Sequence, residues 1–210
     1  MKKIILGLIV LTTTITSCKK TMNVSKVATI PTVVLNGEPA VTVGVGGSYS
    51  DAGAVFTDED GTVSTIQPTT NPLDLNTPGF YTLRYEKHTV SGYNAAAIRV
   101  VLVTNVSSSL DYSGVYVRTA NGQPMYVKKI GTGLYVTDNV GGVPGNSAYI
   151  YDTYFGQKDD STIVVPVQNG PFGELYCDDP SLTVSPTDTI IKWAVMAPGF
   201  GTAVRTFSHE

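Results

Sequence analysis

Thr77-Pro78-Gly79-Phe80-Tyr81-Thr82-Leu83-Arg84-Tyr85 decides the class of fold. Pro78 presets φ and Gly79 tolerates positive φ, so the opening tripeptide reads as a turn. Beyond it Tyr81, Leu83 and Tyr85 alternate with other residues at the two-residue period of a half-buried strand. Downstream, Ser91-Gly92 predicts another turn, and 97–104 a strand with Ile98, Val100 and Leu102 on one face. Upstream, Asp58-Glu59-Asp60-Gly61 reads as a turn that releases 62–66 as a strand. Segment 40–45 alternates Val41, Val43 and Val45. Segment 31–35 reads as an edge strand, with Pro31 at its start, where a missing N–H is tolerated. No window carries a helical stripe. About seven strands in about 75 residues predict a β-sandwich over 30–104.

Residues 105–110 are serine-rich and low in pattern, and read as a linker. A second strand series follows over 111–210. Strands are expected at 114–118 and at 125–130, the latter joined through Gly131-Thr132-Gly133 to 134–137. Further strands are expected at 148–155, with Tyr149 and Tyr151 on one face and Tyr154 opposite, and at 161–167, 174–177, 182–185, 189–195 and 202–207. Short turns between so many strands predict an antiparallel meander, either a barrel or a second sandwich. The whole chain is therefore expected to be all-β, with two domains.

The first seventeen residues have the zones of an export signal. Lys2 and Lys3 precede an apolar run over 4–11, too short for the ~20 residues that span a bilayer. Ile15-Thr16-Ser17-Cys18 resembles the lipobox of bacterial lipoproteins. That resemblance implies cleavage before Cys18, lipidation of its thiol, and a bacterial membrane as partner. Residues 18–29 would then be a tether. Only Cys18 and Cys177 are present, so Cys177 is expected to lack a disulfide partner. The formal charge is −3, and loss of Lys2 and Lys3 with the signal takes it to −5. No basic cluster follows Lys20, which excludes an electrostatic footprint for nucleic acid. Gly (21), Pro (12) and Tyr (12, against 6 Phe) suit short strands and tight turns.

A longer ordered string carries a second resemblance: Pro31, Leu35, Asn36-Gly37, Val45-Gly46, Tyr49, Asp51, Gly53-Ala54, Asp58, Asp60-Gly61, Leu75, Thr77-Pro78-Gly79, Tyr81 and Tyr85. Through it residues 31–103 resemble the bacterial immunoglobulin-like domains of surface proteins and of some pesticidal crystal proteins, which implies a spacer or adhesive module. The family usually follows the Tyr strand with an acidic hairpin. Here Glu86-Lys87-His88 leads instead to Ser91-Gly92-Tyr93-Asn94. Such a domain ahead of a Tyr-rich β-domain, behind a lipobox, resembles small lipoproteins of Bacteroidetes-type polysaccharide-utilisation loci. That likeness implies a glycan-binding component. Lys19 is not the aspartate that retains lipoproteins at the inner membrane, so the outer membrane is expected. No acidic run follows Cys18, so cell surface and periplasmic face both stay open.

Chemistry finds little purchase. His88 and His209 are the only imidazoles, no nucleophile elbow occurs, and His209 is expected to fray. Asp159-Asp160 and Asp178-Asp179 could serve a glycosidase only if one acid from each faced a shared cleft. Asp58, Glu59 and Asp60 lack the twelfth-position acid of an EF-hand loop and read as a solvated turn. No catalytic residue, metal ligand or cofactor is expected. Aromatic stacking is the remaining lead, because a flat ring beside a few polar groups suits a sugar. Tyr149 and Tyr151, beside Asp152 and Asn146, and Trp193 are the candidate contacts. Ile191, Trp193 and Val195 share a face, which argues that Trp193 packs in a core instead. The reading is a lipid-anchored, glycan-binding envelope protein that is not an enzyme. A structural or protein-binding component of an outer-membrane assembly is the alternative, and a small glycoside hydrolase a third.

Overall fold

The computed structural model describes residues 29–107, 109–145 and 147–210, and regular structure among them is strand throughout. The signal, Cys18 and most of the expected tether lie outside the described residues. The N-terminal unit is an immunoglobulin-like sandwich of two three-stranded sheets. One contains β1 (Thr32–Leu35), β3 (Ala54–Thr57) and β4 (Val63–Ile66) in that order. The other runs β2 (Ala40–Gly44), β6 (Asn94–Thr104), β5 (Gly79–His88), with β2 parallel to β6 and β5 antiparallel to it.

Leu83 and Tyr85 are fully buried between the sheets with Ala54 and Val101, and Tyr81 packs beside them, as the alternation in β5 predicts. The turn ahead of β5 differs in detail. Gly79 does not adopt positive φ and is the first residue of the strand. Asp74 makes the turn, accepting from Asn76 N (2.9 Å) and Thr77 Oγ1 (2.7 Å), while Tyr81 Oη donates to Thr77 O at 2.8 Å.

A polar cluster runs through the sandwich. Arg99, 2% exposed, donates through Nη1 to Asp51 (2.7 Å) and Tyr85 Oη (2.9 Å), and through Nε to Glu38 O (3.0 Å). Its Nη2 donates to Asn36 O. Asp51 also accepts from Tyr49 Oη (2.8 Å), Tyr85 Oη (2.6 Å) and Gly53 N (2.7 Å). Burial alone would raise the Asp51 pKa. The hydrogen bonds from Tyr85, Tyr49, Gly53 and Arg99 outweigh it and hold the carboxyl below its ordinary value. Burial, then the neighbouring carboxylate, pushes Tyr49 up to about 12.

The C-terminal unit is one curled nine-stranded sheet. It comprises β7 (Gly114–Arg118), β8 (Pro124–Gly131), β9 (Leu134–Thr137), β10 (Thr153–Gln157), β11 (Ile163–Val164), β12 (Gln168–Gly170), β13 (Gly173–Val184), β14 (Thr189–Met196) and β15 (Val204–His209). The order is β11-β10-β9-β8-β7-β15-β14-β13-β12. The chain meanders outward from β7 to β11, crosses through Val165-Pro166-Val167, and meanders back from β12 until β15 pairs with β7. The curl brings the ends of that order together, and one side chain joins them. Gln168 accepts from Tyr154 N at 2.7 Å and donates to Tyr154 O at 2.8 Å, taking the place of a ladder residue between β12 and β10. The last strand is not frayed. His209 pairs with Tyr116, their rings 4.8 Å apart edge to face, and Glu210 N donates to Val115 O.

The two units share a core. Ala40, Ile98, Val100 and Leu102 of the sandwich are buried with Leu134 of β9, and Phe80 and Tyr154 pack against them. Strand β6 is thus covered on both faces, the setting in which a strand reads as a continuous apolar run. Glycines let the units approach. A Cβ on Gly156 would lie 2.8 Å from Leu102 Cδ2 and 3.0 Å from Phe80 Cζ, and one on Gly131 would lie 2.9 Å from Thr42 Cγ2. The segment after β6 is docked as well: Val106 is buried, and Thr104 Oγ1 donates to Gln157 O at 2.8 Å.

Candidate functional site

Two features stand out on this frame. The first is a cleft of about 510 Å³ between the units, walled by β1 and β6 on one side and by Asp152, Tyr154, Gln168 and Asn169 on the other. A recess of about 450 Å³ adjoins it across Pro39, Asp152 and Tyr154, and adds Glu38 and Lys128. Both volumes fall in the range of ligand pockets. Tyr154 stands at the divide because its neighbours in β10, Thr153 and Phe155, turn into the sheet's interior. Burial, then the charges of Asp152 and Glu38, raises its pKa. The cleft draws on four separate stretches of chain, and of its lining only Tyr154 and Asp152 belong to the aromatic stretch that the sequence offers for ligand contact.

The second feature is an aromatic cluster at one end of the large sheet. Tyr149, Phe172 and Phe200 come from three different turns. The Tyr149 ring lies 4.7 Å from that of Phe172 and 4.9 Å from that of Phe200. Phe172 is 48% exposed at the tip of the β12–β13 hairpin. The Arg205 guanidinium lies 5.0 Å over the Phe200 ring and donates to Gly141 O at 3.1 Å. Burial, then the neighbouring Arg118, lowers its pKa. Beneath, buried Asn139, Val140, Gly141 and Gly142 close the end of the sheet. Their carbonyls accept from Trp193, Arg118 and Arg205.

The expected contacts fall differently around this end. Residues 148–152 do not form the predicted strand. They close a loop, with Ile150 N bonded to Ser147 O and Tyr151 N to Asp138 O, and β10 begins only at Thr153. Tyr149 reaches the cluster from this loop. Tyr151 packs, half-buried, against the core, and burial pushes its phenol up to about 12. Asn146 lies outside the described residues. Trp193 is fully buried, its indole N–H donating to Val140 O at 2.7 Å and its ring 5.5 Å from Phe155. It is the centre of the core and presents no face for stacking.

The remaining polar candidates have local roles. Asp159 accepts from Ser161 N and Thr162 N, and the Ser161 backbone bond leads the forces that lower its pKa. Asp178 and Asp179 sit at a bulge in β13, where Asp179 adopts φ of 49°. Asp58 and Asp60 accept from the backbone of their own turn, and Glu59 accepts from Ser91 Oγ. Among the described residues no group of three or more His, Cys, Asp or Glu is placed to hold a metal ion. Cys177 is buried in the large sheet, whereas His88 is exposed at the end of β5. Burial pushes the Cys177 thiol upward.

Residues 33–103 match the family of bacterial surface protein, Ig-like domains. The span runs from β1 to β6 and contains Asp51, Tyr85 and Arg99. Five positions of the ordered string in the sequence gather around the buried arginine: Asn36, Asp51 and Tyr85 accept from it, and Tyr49 and Gly53 donate to Asp51. No curated protein matches the chain. The crystal structure of a lipoprotein from Bacteroides thetaiotaomicron is similar at 22% identity, over 86% of this chain and 100% of that one, with a TM-score of 0.38. Among the described residues no helix is long and apolar enough to cross a membrane.

Proposed function

We propose that this chain is a lipid-anchored protein of the bacterial cell envelope that binds carbohydrate at the aromatic end of its nine-stranded sheet. The lipobox at Cys18 supports the anchor, and the surface-protein family matched by residues 33–103 supports the location. The single observation that carries the binding reading is the Tyr149–Phe172–Phe200 cluster, whose Phe172 is 48% exposed. Rings held in place by one another offer a pre-formed stacking surface, and binding to it orders few side chains. The proposal includes no catalysis: Asp159 is engaged by its own turn, and Asp178 and Asp179 lie exposed at a bulge, outside the lining of the cleft and its recess. An affinity-gel and glycan-array screen of the mature chain, made soluble by Cys18→Ser, tests it. One polysaccharide class is expected to retard the protein, and Phe172→Ala to abolish the retardation with the unfolding midpoint unchanged. No retardation across the panel, or retardation that survives Phe172→Ala, would refute it.

A further inference from the structure

The cleft between the units is separate from the aromatic end, and two of its walls are strand edges. Successive side chains of a strand point to opposite faces, so a strand seen face-on gives a cavity every second residue. Here Val33, Val34 and Leu35 all line the cleft, as do the neighbours Gln168 and Asn169. Consecutive residues reach one space along a strand's edge. Both strands are terminal members of their sheets, β1 beside β3 and β12 beside β13.

The register identifies the free groups. Asn36 N donates to Gly53 O at 3.0 Å. Bonded and non-bonded pairs alternate along an antiparallel ladder, so Val34–Val55 and Thr32–Thr57 are the bonded pairs of β1 and β3. Val33 and Leu35 therefore direct their N–H and C=O groups away from β3. Proteins commonly protect such an edge with a charge, a proline or a bulge within the strand. Strand β1 is Thr-Val-Val-Leu, with Val34 61% exposed. Asp152 and Glu38, which border the cleft and its recess, make no ion pair among the described residues.

We propose that the cleft receives an extended peptide segment of a partner protein, added to β1 as a further strand. Backbone bonds to Val33 and Leu35 hold it. A β-branched side chain lies beside Ile98 and Val100, and a basic side chain faces Asp152 and Glu38. This site is independent of the carbohydrate reading, which is tested at Phe172.

The test uses the mature Cys18→Ser chain and a displayed library of nine-residue peptides alternating Val, Ile and Thr, with one Lys or Arg. A selected peptide is expected to slow amide exchange at Val33 and Leu35 about tenfold, read by NMR. Val33→Pro is expected to weaken binding about tenfold with the unfolding midpoint unchanged, because an edge strand tolerates proline where its N–H is unbonded. Should that variant not fold, the wild-type chain with the peptide N-methylated at alternate residues gives the same reading: one of the two alternating sets loses binding. The proposal is overturned if no peptide is retained, if bound peptides leave the Val33 and Leu35 amides unprotected, or if both N-methylated sets bind as well as the parent. It is equally overturned if an oligosaccharide from a glycan panel protects those amides in the peptide's place.

Discussion

Replacing Gly156 by alanine separates two physical effects of opposite sign. Gly156 has no positive φ, so alanine fits its backbone, and the lower entropy of the unfolded chain would stabilise the protein by about 0.4–1 kcal/mol. The added Cβ, however, would lie 2.7 Å from Gly133 O, 2.8 Å from Leu102 Cδ2 and 3.0 Å from Phe80 Cζ. Leu102 and Phe80 can shift at their tips, but the Gly133 carbonyl belongs to a hairpin packed against Val106 and moves only with it. Overpacking of this kind costs about 1–3 kcal/mol, so the contact outweighs the entropy. We expect Gly156→Ala to destabilise by about 1–2 kcal/mol, a fall of about 2–8 °C in Tm for a chain of this size. Urea titration reads it with two probes. Trp193, the only tryptophan, reports the large sheet, and far-UV circular dichroism reports both units. In the wild type the shared core should make the two curves coincide, and in Gly156→Ala they should separate. Leu102→Ala is costly by itself at this buried site, but in a double-mutant cycle it should couple favourably with Gly156→Ala by about 0.5 kcal/mol or more, through the contact it relieves. A Gly156→Ala protein as stable as the wild type, or a wild type that already melts in two steps, would refute the account of the interface.

Asp51→Ala leaves Arg99 buried without its carboxylate and should cost about 3–5 kcal/mol, whereas Arg99→Met with Asp51→Leu should cost much less; chemical denaturation compares them. Because the folded Asp51 pKa is lowered, its contribution is complete above the unfolded value near 3.8 and is lost as pH falls through the folded one. Asp51→Asn should therefore flatten the acid limb of the stability curve below about pH 4. Cys177 should be inert to thiol reagents in the native chain at pH 8 and become labelled at the rate of unfolding, since burial suppresses its thiolate; labelling as fast as a free thiol would contradict its placement. Gln168→Leu leaves the Tyr154 N–H and C=O without partners and should cost about 2–3 kcal/mol, with faster exchange at the Tyr154 amide as the direct readout.

The class of fold is legible because few interactions decide it. The period of two in Tyr81, Leu83 and Tyr85 needs only one buried face, and the glycine-bearing turn at 131–133 sets β8 against β9. The misses have physical causes. Tyr149 and Tyr151 alternate, but two residues make a weak periodic signal, and the chain there makes a loop fixed by Asp138 and Ser147. Asp178-Asp179-Pro180 reads as a break between strands. A single residue at positive φ instead absorbs it as a bulge, so β13 continues for 12 residues. Strand β3 escaped the reading, although Phe56 is buried. The cleft was beyond sequence reasoning, because it joins residues near 34, 98, 153 and 168 that only tertiary packing brings together. One sign of it was available. Val101 and Val103 are as apolar as Val100 and Leu102, and a run without alternation marks a strand covered on both sides.

That doubly covered strand links the architecture to the two proposed sites. In β6, Val101 serves the sandwich core while Ile98, Val100 and Leu102 serve the shared one. The Ig-like unit is therefore fixed against its neighbour rather than strung beside it. A fixed contact is what a cleft requires, since walls supplied by two units stay in register only if the units do not rotate. The same contact limits what the sandwich can offer elsewhere. Its β2-β6-β5 face is already occupied, and β1, the edge proposed for a partner, belongs to the opposite sheet. At the far side, Gln168 fixes β12 to Tyr154 through its side-chain amide, which bonds both the N–H and the C=O of Tyr154. The hairpin that carries Phe172 outward therefore starts from the wall of the cleft. One short strand, β12, therefore forms part of the cleft wall at one end and the base of the Phe172 hairpin at the other.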